Sequence, residues 1–284
     1  MLKRLGPSAI EAGDVTSAAL FPSKLEFNPP AHGTWNIVHI GMLVPEAHQI
    51  YVCALNCMRG VVLTAAEMGA QDRFSCVVLR EEDITRGTVE QVTFEGIRDV
   101  LHKLEARQQL PPCVIVFPVC THLFLGVPMN RIYAKLEEEF PDVFFVRAFM
   151  DPISKERLIP DKRLRKVMYD PLPACESDGE LVCHLGSDFA LDAESDLRGL
   201  LAAGGKRLTS IHDCTTYRQF LALSRAATFL CTFPSGLWGA QRTAQRLGRR
   251  CLYLPGSFSY DAIEAQEREL CRELDLPLPD FSAE

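Results

Sequence analysis

Three cysteines stand out in this sequence because each lies at or just beyond the end of an apolar run. Cys53 and Cys57 are four residues apart in the stretch YVCALNCMRG, and Cys120 ends the run CVIVFPVC. A cysteine thiolate binds iron or zinc, and a helix N-terminus favours the thiolate by lowering the pKa of the thiol. Cys57 begins a predicted helix, so its position suits a metal ligand.

The spacing of these thiols leaves several interpretations open. Cys53 and Cys57 form a C-x3-C pair, which is neither the spacing of a zinc ribbon nor that of a ferredoxin cluster. A closed zinc site needs four ligands, and His39, His48 or His122 would have to supply the fourth. Cys53 and Cys57 could also form a metal-free dithiol, or pack as small apolar side chains. For His48 and His122 we favour a hydrogen-bonding role.

Four further cysteines lie inside apolar runs and are predicted to be core residues of strands: Cys76, Cys113, Cys183 and Cys231. Strands that are buried on both faces accept cysteine readily as a small apolar side chain. The chain contains 11 cysteines, an odd number. Because no signal peptide is apparent, we expect reduced thiols and not disulfides.

The elements that would position the first three cysteines alternate between strand and helix. Predicted strands cover 48–53, 73–79, 111–120 and 142–150, and predicted helices cover 58–70, 88–109 and 129–141. Apolar strands separated by helices are typical of a parallel sheet covered on both faces. Ligands of such sheets bind beyond the carboxyl ends of the strands. Cys53 and Cys120 lie at two such ends and Cys57 follows the first, so the three are predicted to converge on one edge.

A second unit of the same kind follows a segment rich in proline and charge. The predicted organisation is an N-terminal arm over 1–35, a cluster-binding α/β domain over 36–150, a crossing helix and linker over 151–180, and a second α/β domain over 181–284. Strands and helices alternate in both domains. The predicted fold class is therefore α/β, with two Rossmann-like three-layer units and mainly parallel sheets.

Composition and motifs disfavour several classes of function. The formal net charge is −7, which argues against a nucleic-acid partner because phosphate binding requires a basic surface. No segment approaches the roughly 18 apolar residues of a membrane span, so we predict a cytoplasmic protein with no membrane partner. The sequence contains no G-x-x-x-x-G-K-[ST] loop and no G-x-G-x-x-G after a strand. Neither ATP hydrolysis by that route nor a nicotinamide cofactor is expected.

The order of motifs resembles that of the nitrogenase component 1 family, which includes the subunits of dark-operative protochlorophyllide reductase. The segments CMRGVVLTAAEMG, FSCVVLREEDITRG and PPCVIVFPVCTHLFLG carry the resemblance, within a match from about residue 38 to residue 274. Family members have a cysteine before a helix, a strand leading to an acidic loop, and a strand ending in a second cysteine. The matching residues here are Cys57 for the first cysteine, Glu82, Asp83 and Gly87 for the loop, and Cys120 for the second cysteine.

The resemblance implies an oxidoreductase with an iron–sulfur cluster at a subunit interface. In the family the cysteines hold the cluster, and an ATP-hydrolysing reductase similar to the nitrogenase iron protein supplies its electrons. The upstream cysteine expected near residues 39–42 is absent, because HIGM stands there. Cys57 and Cys120 would complete a [4Fe–4S] cluster with four cysteine ligands if the protein were a homodimer, or with a paired homologous subunit. Cys53 and His39 are the candidates for additional ligands of the cluster.

Two implications of the resemblance concern activity. The chain is shorter than typical family members and is predicted to keep two of their three α/β domains. Because the family's substrate pocket generally uses the third domain, the alternative function is a non-catalytic scaffold that binds or assembles a metallocofactor. The segment REEDITRG is either a solvated loop or, by the resemblance, a place for packing near the cluster or docking the reductase. The substrate itself is not predicted.

Overall fold

The computed structural model describes residues 4–6, 9–10, 37–150 and 160–281. Near the N-terminus, strands β1 (Arg4–Gly6) and β2 (Ala9–Ile10) pair antiparallel. Most of the predicted arm over 1–35 lies outside the described residues, as do positions 151–159 of the predicted linker. The fold that positions the cysteines is built from the two long described ranges.

The first α/β unit alternates strands and helices, as the apolar pattern predicts. Its elements are α1 (Ile37–Met42), β3 (Ala47–Cys53), α2 (Leu55–Glu67), β4 (Phe74–Val78), α3 (Glu81–Thr85), α4 (Val89–Ala106), β5 (Cys113–Pro118), α5 (Cys120–Phe124), α6 (Met129–Glu139) and β6 (Phe144–Arg147). The strands form one parallel sheet in the order β4-β3-β5-β6. Since β3 connects to β4 on one side and β5 to β6 on the other, the topological switch point lies between β3 and β5.

The second unit repeats this arrangement. Its elements are α7 (Pro160–Val167), β7 (Asp178–His184), α8 (Asp196–Ala203), β8 (Arg207–Ser210), α9 (Tyr217–Ala222), β9 (Ala226–Cys231), α10 (Leu237–Leu247), β10 (Arg250–Tyr253) and α11 (Tyr260–Leu274). Its parallel sheet has the order β10-β9-β7-β8, which is the order of the first sheet seen from the other side. The predicted class of two Rossmann-like α/β units with parallel sheets is confirmed.

The central strands of the first sheet are formed by residues that can be buried on both faces. Every residue of β3 and of β5 is buried. The polar side chains of β3 find partners inside the protein, as buried polar groups require. Gln49 Nε2 donates to the carbonyl of Val38 at 2.9 Å, and its Oε1 accepts the hydroxyl of Tyr51 at 3.0 Å. His48 Nε2 lies 2.8 Å from Ser75 Oγ, which confirms its predicted hydrogen-bonding role.

The long helices are amphipathic and cover the outer faces of the sheets. In α4 the buried residues Val89, Thr93, Ile97 and Leu101 recur every four positions, which places them on one face of the helix. Truncation of a core residue such as Leu101 to alanine would lower the free energy of unfolding by about 2–5 kcal/mol. No helix within the described ranges combines the length and apolar character needed to cross a membrane.

One apolar core connects the two units. It contains Tyr51 and Phe117 of the first sheet, whose rings stack with centroids 4.4 Å apart, and Phe229 of the second sheet. Leu164 of α7 belongs to the same cluster, and α7 packs against both α1 and α10. Separate cores lie on the other face of each sheet. Each sheet is thus covered on both faces, and α7 packs in the core that the units share.

The acidic segment predicted as a loop forms the short helix α3. The carboxylate of Asp83 accepts the backbone N–H of Arg80 at 2.8 Å, which satisfies one of the amides left free at a helix start. Gly87 has a φ of +67°, a left-handed conformation that favours glycine and ends the segment. The loop prediction is therefore wrong for Glu81–Thr85, because local capping supplies the hydrogen bonds that a solvated loop would take from water.

Candidate functional site

Cys57 and Cys120 follow two neighbouring strands at the same edge of the first sheet. Strands β3 and β5 pair in parallel with Val52 opposite Pro118, so their carboxyl ends lie side by side. Cys57 is in the first turn of α2, where its N–H donates to the carbonyl of Ala54 at 2.9 Å. Cys120 is the first residue of α5. Both thiols therefore lie at the switch point, where open α/β sheets bind their ligands.

The two thiols are close enough to influence each other's ionisation. Burial raises the pKa of the Cys57 thiol, and the negative charge of a Cys120 thiolate raises it further. Desolvation outweighs the helix N-terminus, which alone would lower the pKa, so the lowered pKa expected for Cys57 is wrong for the free thiol. Both side chains are only half-buried. They remain accessible to an ion that would replace their protons.

Cys53 lies inside the sheet. It is the last residue of β3, its side chain is fully buried, and its carbonyl accepts the N–H of Leu79 at 3.0 Å. Burial raises the pKa of its thiol to about 12, and the charges of Cys76 and Cys57 contribute to the shift. Its neighbourhood is the core, although Cys57 is near enough to affect its ionisation. The role of Cys53 as a ligand stays a prediction.

His39 lies on an exposed face of α1, between the buried residues Val38 and Ile40. Within the described residues, no three histidine, cysteine, aspartate or glutamate side chains are grouped where they could hold one metal ion. A closed zinc site with four protein ligands is therefore not assembled by the described part of one chain. The structure brings Cys57 and Cys120 together as a pair, and His39 as a ligand stays a prediction.

His122 holds the turn that carries Cys120. Its Nδ1 accepts the backbone N–H of Val119 at 3.2 Å, and its Nε2 lies 3.0 Å from Thr93 Oγ1. Burial lowers the pKa of this histidine to about 4, so the ring is neutral at pH 7. The predicted hydrogen-bonding role is confirmed. The bond to Val119 fixes the turn at Cys120. The sequence did not indicate the second bond, because its partner Thr93 lies on the distant helix α4.

The acidic helix α3 begins at the same edge as the two thiols. Strand β4 pairs in parallel with β3, with Val78 opposite Cys53, and α3 starts three residues after Val78. Glu82 and Asp83 lie in its first turn, where acidic side chains interact favourably with the helix dipole. This helix therefore stands next to the thiol edge on the β4 side. Its role in docking a reductase stays a prediction.

Large apolar side chains are exposed at this edge. They follow the carboxyl ends of β3, β4 and β5 and are Leu55, Ile84, Leu123, Phe124 and Leu125, which together we name the apolar collar. Leu55 is 69% exposed and Phe124 is 74% exposed. Leu55 is two residues from Cys57, and Leu123 is three residues from Cys120. Exposed apolar patches on soluble proteins commonly mark interaction surfaces.

Comparison with solved structures identifies the architecture. A structure of nitrogenase Cp1 at pH 6.5 matches with a TM-score of 0.64 over 91% of this chain, at 9% sequence identity. A structure of nitrogenase Cp1 at pH 5 matches with a TM-score of 0.59 over 84% of this chain, at 12% identity. The fold is nitrogenase-like. The resemblance inferred from the order of motifs is thus confirmed at the level of the fold.

The nitrogenase-like fold does not by itself assign a family or an activity. The match covers 61% of one nitrogenase chain and 51% of the other, so this chain spans less than two thirds of the length of either. No family model matches the sequence, and no curated protein matches it. Function must therefore be argued from the site, since one fold supports many chemistries.

Proposed function

We propose that this nitrogenase-like chain is an oxidoreductase subunit in which Cys57 and Cys120 hold one half of an interfacial [4Fe–4S] cluster. The observation that carries the proposal is the pair of half-buried thiols at the switch point between β3 and β5. A [4Fe–4S] cluster is held by four cysteine thiolates. The described residues of one chain bring together two, so a second copy, or a paired homologous subunit, would supply the others.

The chemistry of the two thiols fits this role. The raised pKa of Cys57 keeps the free thiol protonated near neutral pH, so deprotonation accompanies metal binding. When bound, a [4Fe–4S] cluster supplies one-electron redox chemistry. The protein's contribution is the position of the thiols. His122 supports Cys120 through its hydrogen bond to the N–H of Val119, a kind of support that metal ligands commonly have.

The apolar collar supports an interfacial location. Five large apolar side chains at the thiol edge would be covered when a second subunit packs there, and water would be excluded from the two thiol pairs. Burial is one of the factors that set the reduction potential of an iron–sulfur cluster. The cluster-binding domain in this proposal is 36–150.

The proposed electron source is an ATP-dependent reductase similar to the nitrogenase iron protein. The sequence contains no P-loop, so ATP hydrolysis would belong to that separate protein. The first-turn carboxylates of α3, Glu82 and Asp83, would dock this reductase beside the subunit interface that covers the apolar collar. We further infer a cytoplasmic location, because 11 cysteines without a described disulfide suit a reducing compartment.

Anaerobic purification tests the proposal directly. We expect about two iron and two sulfide ions per chain, corresponding to one [4Fe–4S] cluster per pair of chains, and a dimer mass in solution. The variants Cys57→Ser and Cys120→Ser should each lose at least nine tenths of the iron. Cys175→Ser is the matched control, because Cys175 is an exposed cysteine remote from β3 and β5 in sequence.

The outcomes separate the proposal from its competitors. Protein without iron and sulfide, or full iron content in either variant, would rule out the assignment of Cys57 and Cys120. Loss of iron in Cys53→Ser with a correctly folded protein would add Cys53 to the ligands. Reduction of the cluster by a reductase with MgATP supports the oxidoreductase. Transfer of the cluster to an apo-protein, without turnover, would favour the metallocofactor scaffold.

A further inference from the structure

Cys57 and Cys120 form a pair of thiols that can react with each other as well as with a metal. Strands β3 and β5 pair directly in the first sheet, and paired strands lie about 4.8 Å apart. Cys57 is the fourth residue after the end of β3, and Cys120 is the second residue after the end of β5. The two thiols are near enough that the charge of a Cys120 thiolate raises the pKa of Cys57. Topology and electrostatics therefore both place the pair at one point of the sheet edge.

The turns that carry the two thiols lie outside the sheet ladder. Cys57 is in the first turn of α2, and Cys120 is the first residue of α5. A disulfide forms when two Cα atoms come within about 7 Å of each other with suitably directed side chains. Because neither residue belongs to β3 or β5, a small adjustment of either turn leaves the hydrogen bonds between the strands intact. The fold therefore permits a bond between the two sulfurs.

Two further thiols near the pair are protected from oxidation. Cys53 is fully buried, and burial raises its pKa to about 12. Cys76 lies in the middle of β4, and burial raises its pKa to about 11. Since the thiolate is the form that reacts with an oxidant, both stay unreactive near neutral pH. Among the four, the half-buried pair Cys57 and Cys120 is therefore the one that an oxidant meets first.

We propose that Cys57 and Cys120 form a reversible disulfide when the site holds no iron, with a peroxide as the oxidant. The thiolate of one cysteine attacks a peroxide oxygen, the O–O bond breaks, and a sulfenic acid and one water are formed. The second thiol then attacks the sulfenic sulfur, the S–S bond forms, and a second water leaves. The two thiols lose two electrons and two protons in total, and one hydrogen peroxide becomes two waters.

This disulfide would control the access of iron to the site, a consequence that rests on the proposed function. Iron binds cysteine as the thiolate, and the sulfurs of a disulfide carry no thiolate charge. The oxidised protein therefore cannot load a cluster until a thiol reductant, such as dithiothreitol, cleaves the S–S bond by exchange. Oxidation would close the empty site in this way, and reduction would reopen it.

Oxidation of the iron-free full chain tests the disulfide directly. The protein is prepared anaerobically with a chelator, treated with hydrogen peroxide, unfolded, and assayed for free thiols. We expect the count to fall from 11 to 9, because one disulfide consumes two thiols, and to return to 11 with dithiothreitol. Peptide mapping should find Cys57 joined to Cys120. A bond from Cys53 to Cys57, or oxidation of the pair without a bond between them, would overturn the inference.

Variants identify the sulfurs that react. Cys57→Ser and Cys120→Ser should each abolish the disulfide, so that no cross-linked peptide is recovered after peroxide treatment. Cys175→Ser is the matched control, because Cys175 is an exposed cysteine outside the first sheet, and this variant should keep the bond. Loss of two thiols to a disulfide in either of the first two variants would contradict the pairing. The peptide map of the unaltered protein stands without any variant.

Iron content, measured separately, distinguishes failure of this inference from failure of the proposed function. Iron bound by Cys57 and Cys120, together with no disulfide in the iron-free protein, would overturn the disulfide alone. A disulfide in protein that never holds iron would overturn the proposed cluster and leave the disulfide in place. When both hold, we expect peroxide-treated protein to take up about tenfold less iron and sulfide than reduced protein, and dithiothreitol to restore the uptake. Equal uptake before and after oxidation would overturn the control of iron loading.

Discussion

In both sheets the first and third strands of the unit lie side by side, β3 beside β5 and β7 beside β9. The turns that follow these strand pairs are therefore equivalent in the two units. In the first unit they carry Cys57 and Cys120, which are half-buried and near each other. In the second unit they carry Gly186 and Gly236, which touch through their backbones.

The switch point of the second sheet lies between β7 and β9, and the close approach of Gly186 and Gly236 leaves no space for a ligand there. A Cβ on Gly186 would lie 2.7 Å from Gly236 Cα, which is closer than non-bonded carbons approach. Arg165 of α7 stabilises this contact. Its buried guanidinium donates to the carbonyl of Gly186 at 3.1 Å and to Asp188 Oδ2 at 2.7 Å. The same group lies 5.0 Å from the centroid of the Phe233 ring. No comparable glycine contact is described at the first switch point.

The comparison shows that strand order brings two turns together at a sheet edge, but that the residues in those turns decide whether a ligand can bind there. Identical strand orders bring two turns together at each carboxyl edge. Side chains that can bind a ligand stand in the turns of the first sheet, whereas the turns of the second are occupied by a backbone contact and a buried arginine. The first edge is open to a partner, and the second joins the crossing helix to its sheet.

The largest effect is expected at the glycine contact. Gly186→Ala should lower the free energy of unfolding by about 4 kcal/mol, because the added Cβ meets the backbone of Gly236 and Gly186 has a φ of +85°. Urea unfolding measures the change. Gly256→Ala is the control, since a Cβ there meets nothing within 4 Å. If Gly186→Ala left the free energy of unfolding unchanged, the second switch point would be open like the first.

A somewhat smaller effect is expected for the buried arginine. Arg165→Met should lower the free energy of unfolding by about 3 kcal/mol, because it leaves Asp188 and the carbonyl of Gly186 without their partner. Lys166→Met, the half-buried neighbour on the same helix, should cost about 0.5 kcal/mol or less. Equal stabilities of the two variants in urea would mean that Arg165 does not hold the second edge together.

The smallest effect concerns a neutral histidine at each edge. His122 and His184 have pKa values lowered to about 4 by burial, against 6.5 for a free histidine. As the pH falls, each histidine takes up its proton in the unfolded chain before it does so in the folded protein. Each should therefore lower the free energy of unfolding by about 2 kcal/mol between pH 7 and pH 5. His122→Gln and His184→Gln should each flatten this dependence.

Exposed His102 provides the control for that experiment. Its hydrogen bonds to Glu139 and Glu105 raise its pKa, so His102→Gln should not flatten the loss of stability on acidification. Unfolding curves in urea at pH 7, 6 and 5 provide the measurement. A pH dependence that survives both His122→Gln and His184→Gln would show that the two edges do not respond to acid through these histidines.

Much of the fold could be predicted because its signals are local. The sequence predicts a strand over 48–53 and β3 spans Ala47–Cys53, because Ile50, Tyr51 and Val52 form the short apolar run that is typical of a buried strand. The predicted helix over 88–109 contains α4, whose apolar residues recur at helical spacing. The sequence pattern does not indicate the acidic helix α3, because its five residues are too few to show an apolar period; the hydrogen bond from the N–H of Arg80 to Asp83 that caps it forms only in the folded backbone.

The candidate site was predictable only in part. That Cys57 and Cys120 would meet at one edge followed from the rule that parallel strands share their carboxyl ends, and the strand pairing places them there. The buried position of Cys53 did not follow, since a strand-end residue can point into the core or out of it. The raised pKa of Cys57 was also missed, because desolvation depends on every neighbour in space.

The sequence by itself determined the alternation of elements, the class of fold and the placement of Cys57 and Cys120 just after the carboxyl ends of two strands. These properties depend on periodicity and on the order of segments along the chain. Only the tertiary structure decided that β3 and β5 are neighbours, that the second switch point is closed, that His122 is held against Thr93 of α4, and that Arg147 and Arg163 line one cavity. Each of these depends on groups that are distant in sequence and meet only through packing, which no local pattern specifies.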